Sequence, residues 1–193
     1  LTAKCGDYLA MTYDRPGLYL DRPYHDTEAG RQYYIKELKD LISFLEDTSG
    51  RKLDPARLRE AMEYTRQSTV LFREICEMRK MIPSPMRSHH LIEMTLTQLM
   101  LSGSPDLVRF YETIRDEMKT EMANPERPAE KYRLMNFFFY PGYLWGFLNT
   151  LETQYGVAMV AEPHLSLWSD ADIDPDKPLE SLAAKAFALV DTG

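Results

Sequence analysis

The chain has 193 residues, 44% of them hydrophobic and 27% charged, with a net charge of −7 and a pI near 5.2. That is enough apolar content for one ordinary domain or two small ones, and an acidic balance that argues against nucleic acid, whose phosphates need a basic face. No apolar run approaches the roughly 20 residues of a membrane-spanning helix, and no signal-peptide pattern is present.

Residues 1–14 hold Cys5 and then a short predicted helix, Asp7 to Tyr13. Leu18-Tyr19-Leu20 reads as a compact apolar strand closed by Arg22-Pro23. Thr27 suits an N-cap, with Glu28 in the first turn of a helix that runs to Gly50. Along it Leu38, Leu41, Ile42 and Leu45 fall on one face, with Lys36, Glu37, Lys39 and Asp40 off it. Asp54-Pro55 opens a second helix, a capping Asp with Pro at the first helical position. Its period is sustained from Leu58 to Met81, and Pro83-Ser84-Pro85 breaks it. A third helix is predicted over about Ser88–Leu101, ending at Gly103. A fourth is opened by Ser104-Pro105-Asp106 and carries Leu107, Phe110, Tyr111, Ile114 and Met118.

The character changes after the polar run Asn124-Pro125-Glu126-Arg127-Pro128. Tyr132 to Tyr140 contains the apolar run Leu134–Phe139 and reads as a strand buried on both faces. Tyr143 to Tyr155 is a helix stopped by Gly156, Val157 to Ala161 a second buried strand, and Pro178-Leu179-Glu180 opens a helix to about Val190. Strand, helix and strand in this spacing make one βαβ unit of a parallel sheet. The expected class is therefore α/β and helix-rich: residues 1–26 end one parallel-sheet domain, 27–123 form a helical layer, 124–130 a linker, and 131–193 begin a second such domain. Two strands are too few for a sheet with both faces covered, the first residue is Leu1 rather than Met, and the chain stops directly after a helical pattern. From these we expect a piece of a longer protein.

Candidate chemistry is sparse. The two cysteines, Cys5 and Cys76, lie far apart, make no disulfide framework and suit a reducing, cytoplasmic compartment. Cys5 stands just ahead of its predicted helix, where dipole and free amide N–H groups would suit a thiolate ligand; the residues alone nevertheless favour a small inert apolar side chain. Cys76 sits in mid-helix at core spacing and reads as packing. His89-His90 with Glu93 and Glu117 invites a metal, but His90-x-x-Glu93 reverses the Glu-x-x-His order of di-iron bundles and has no second copy, so a solvated or capping role is expected. His25 and His164 are single loop histidines; His164 follows a predicted strand end, where α/β proteins place binding residues. Tyr140-Pro141-Gly142-Tyr143 offers one Gly where a dinucleotide fingerprint needs three, which disfavours a nucleotide site.

Taken in order, Thr2-Ala-Lys-Cys5-Gly-Asp, Leu18-Tyr-Leu-Asp-Arg-Pro-Tyr24, Leu45-Glu-Asp-Thr-Ser-Gly50, the long helix closing on Pro83-Ser-Pro85, Leu151-Glu-Thr-Gln-Tyr-Gly156 and Asp176-Lys-Pro-Leu-Glu-Ser-Leu-Ala183 resemble the 2-hydroxyacyl-CoA dehydratase and benzoyl-CoA reductase family. The resemblance covers nearly the whole chain but only about the middle half of a family subunit. It implies Rossmann-like parallel-sheet domains around the helical layer, and a 4Fe–4S cluster on three cysteines, of which Cys5 matches one and the other two lie outside this chain. It also implies a homologous second subunit, an ATP-dependent activator protein and an acyl-CoA substrate dehydrated by radical elimination of water. An aryl-CoA reductase of the benzoyl-CoA type and a non-catalytic helical interaction subunit are the alternatives.

Overall fold

The computed structural model describes residues 2–127, 129–135, 145–161 and 171–188. Among these, seven helices and two strands follow one another: α1 (Thr2–Tyr13), α2 (Glu28–Ser49), α3 (Pro55–Met78), α4 (Ser88–Leu101), α5 (Pro105–Met122), β1 (Tyr132–Met135), α6 (Trp145–Tyr155), β2 (Val157–Ala161) and α7 (Pro178–Ala188).

The helix ends follow local chemistry. Thr27 Oγ1 accepts from Gly30 N at 3.0 Å, and Asp54 Oδ1 accepts from Ala56 N at 2.9 Å, so two helices start on side-chain caps. Gly50 ends α2 at φ +68°, the left-handed conformation that Gly adopts without a Cβ penalty.

The core lies between α3 and α5. Leu71, Phe72 and Ile75 of α3 meet Leu107, Val108, Tyr111, Ile114 and Met118 of α5, with Met86 and Met94 completing the cluster. The spacing of three and four residues along each helix puts these side chains on one face, and their removal from water drives the pairing. The Phe72 and Tyr111 rings sit 5.7 Å apart, and Lys119 Nζ reaches Glu74 Oε1 at 2.9 Å outside the seam. α7 closes the other side: Phe187 meets the Tyr34 ring of α2 edge-on, and the Arg22 guanidinium lies over it, 5.6 Å from the ring centroid, while donating to Ala186 O at 2.9 Å.

α4 packs with its polarity partly inverted. Met94 and Gln98 are buried while Leu96, Leu99 and Met100 are 53%, 57% and 81% exposed. Gln98 is tolerated inside because its Oε1 accepts the Tyr111 hydroxyl at 2.6 Å. Burial pushes the Tyr111 phenol far up from its ordinary value, so it stays a donor.

β1 and β2 pair in parallel, Tyr132 opposite Val157 through Leu134 opposite Met159, with an irregularity before Met135. This is the expected βαβ arrangement, with α6 between the strands. Residues 136–144, including most of the apolar run and the Tyr140–Tyr143 turn, lie outside the described residues, as do His164 and the end of the last predicted helix.

Four expectations are corrected. The first helix begins at Thr2, not Asp7, so Cys5 lies inside it rather than ahead of it. Residues 18–20 form no strand: three residues with no neighbouring strand have no ladder to join, and Leu18 and Tyr19 stand exposed. Tyr132, Leu134 and Met135 of β1 are exposed rather than buried on both faces, because β2 alone pairs with β1 among the described residues. Leu45, placed on the apolar face of α2, is exposed, while Ile35 and Leu38 carry the burial. Fully buried Phe72 gives the sharpest test of the α3–α5 core. Phe72→Ala is expected to cost about 3–5 kcal/mol in urea denaturation, against less than about 0.5 kcal/mol for the exposed Leu45→Ala.

Candidate functional site

The breaker between α3 and α4 and the polar run before β1 come together in space. Arg79, at the end of α3 and buried, donates through Nη2 to Met159 O of β2 at 3.5 Å. Arg133 of β1 donates through Nη1 to Met81 O at 3.0 Å and through Nη2 to Lys80 O at 3.4 Å. Glu130, with its side chain 8% exposed, accepts from both Ser84 N and Arg133 Nη1. Arg127 donates through Nη1 to Pro83 O at 2.8 Å. The run and the turn thus form one welded joint: Arg127, Arg133 and Glu130 satisfy backbone groups that the proline-rich turn leaves outside any helix, and Arg79 ties the end of α3 to the backbone of β2.

Gly156 closes the joint from the other side. At φ +67° it accepts from Lys131 N at 2.8 Å, and a Cβ there would stand 3.2 Å from Ala129 O. Between the turn and this strand end lies a cleft of about 110 Å³, lined by the 83–87 turn, Arg127, Glu130, Glu152 and the start of β2. Sequence reasoning missed it, since Arg127 and Glu130 carry no motif. The available signal was a cluster of charges beside prolines between two unlike halves. Because Glu130 holds the two sides together, Glu130→Ala is expected to cost about 2 kcal/mol. It should also speed amide exchange at Ser84 and Met86 while leaving α5 protected, as read by hydrogen–deuterium exchange.

The sequence-predicted candidates are not brought together. Cys5 is exposed on α1 and Cys76 is partly buried against the α3–α5 core. Burial pushes the Cys76 thiol up from its ordinary value, with Arg79 opposing. His25 is an exposed loop residue beside Tyr24; His90 is half-buried on α4, Glu93 lies on the same helix, and Glu117 is exposed on α5. Among the described residues no three His, Cys, Asp or Glu side chains converge to hold a metal ion. The residues present do not fit a four-iron cluster by themselves: the chain contains two cysteines, and these lie on different helices.

Against known proteins, a family model described as "2-hydroxyglutaryl-CoA dehydratase, D-component" matches residues 2–192. The chain belongs to this family. A curated relative, the (R)-phenyllactyl-CoA dehydratase alpha subunit of Clostridium sporogenes, is 24% identical over 165 residues, covering 80% of this chain. The chain spans 40% of that relative's length. No helix among the described residues is long and apolar enough to cross a membrane.

The two thiols of this dehydratase-family chain should separate cleanly by reactivity. A raised pKa lowers the thiolate fraction at any given pH, and burial blocks access. At pH 8 iodoacetamide is expected to label exposed Cys5 at least about tenfold faster than Cys76. Denaturant should abolish the difference, read by peptide mass spectrometry.

Proposed function

We propose that this chain is part of a subunit of a 2-hydroxyacyl-CoA dehydratase, an enzyme that removes water from a 2-hydroxyacyl-CoA thioester to leave the 2-enoyl thioester. The observation that carries this reading is the family match across residues 2–192, supported by the resemblance to a dehydratase alpha subunit. Dehydration puts the departing hydroxyl beside the carbonyl and takes the proton from the β-carbon, where it is too weakly acidic for an ordinary general base. The radical route implied by the resemblance belongs to this reading, as do an activator protein, anaerobic lability and a cytoplasmic setting.

Cys5 is proposed as one of three thiolate ligands to a cluster completed by residues outside this chain. Its exposure on α1, in the first turns of that helix, leaves the sulfur accessible to such a group. A homologous second subunit is proposed as the partner, and the exposed Leu96, Leu99 and Met100 of α4 supply apolar surface suited to an interface.

The test uses the intact protein, purified anaerobically with its companion chain and activator. A 2-hydroxyacyl-CoA should be converted to the enoyl thioester, Cys5→Ser should remove most of the iron, and Cys76→Ser should leave iron nearly intact. Reduction of an aromatic acyl-CoA instead of dehydration would transfer the chain to the aryl-CoA reductases. An iron-free protein inert toward both would leave the non-catalytic interaction subunit.

A further inference from the structure

We draw no further inference here: the strongest candidate, the exposed apolar surface of α1 formed by Tyr8, Leu9, Met11 and Tyr13, carries none because nothing in the structure shows what covers it.

Discussion

The burial of Phe72 and Ile75 against Tyr111, Ile114 and Met118 is the contact on which the other placements depend. It fixes α3 beside α5, and through their ends it fixes the two segments that follow them. The 79–87 turn leaves the C-terminal end of α3, and the 123–131 run leaves the C-terminal end of α5. Two antiparallel neighbours would send their trailing segments to opposite ends. Here the intervening α4 returns the chain, so both trailing segments emerge near the strands. The hydrophobic face therefore does indirect work, carrying two charged, proline-rich stretches into reach of each other.

At that meeting point the physics changes from apolar to polar. Turns rich in proline cannot satisfy their own carbonyls, and a strand edge has main-chain groups to spare. Arg79, Arg127 and Arg133 span the gap, each reaching a backbone oxygen of a different segment. Arginine suits this role because its fork can serve two acceptors at once while its stem packs against apolar neighbours. Glu130 offsets part of the charge thus gathered and binds Ser84 N directly, so removing any one member leaves others unsatisfied.

Much of the helical layer was legible because its signals are local. Asp54-Pro55, Thr27 with Glu28, Gly50 and Gly103 mark ends within a residue or two, and the period of Leu71, Ile75 and Met78 names the buried face of α3. Misreadings occur where the outcome depends on partners. Leu18-Tyr19-Leu20 has strand-like composition, but a strand exists only with a neighbour. Leu134 and Met135 look like core residues, yet burial depends on what lies above and below the sheet. The joint was illegible for a related reason: Arg127, Glu130 and Arg133 are ordinary charged residues until Pro83, Ser84 and Met81, some fifty positions earlier, are placed opposite them. Cys5 carried meaning only through the resemblance, since no second thiol lies near it in sequence and none joins it in the fold.

The Gln98–Tyr111 hydrogen bond works on α4 as a key works in a slot. α4 has apolar residues around most of its circumference, so greasy contact alone would accept several rotations about its axis with little preference. Only one of them brings the amide oxygen of Gln98 to the phenol of Tyr111, and every other rotation would bury one or both without a mate. A single polar pair thereby removes the rotational degeneracy of an entire helix, and does so by penalising the alternatives more than by strengthening the chosen one. The leucines and methionine left facing outward are the residue of that choice: their orientation is dictated from inside the molecule, by an atom they never touch.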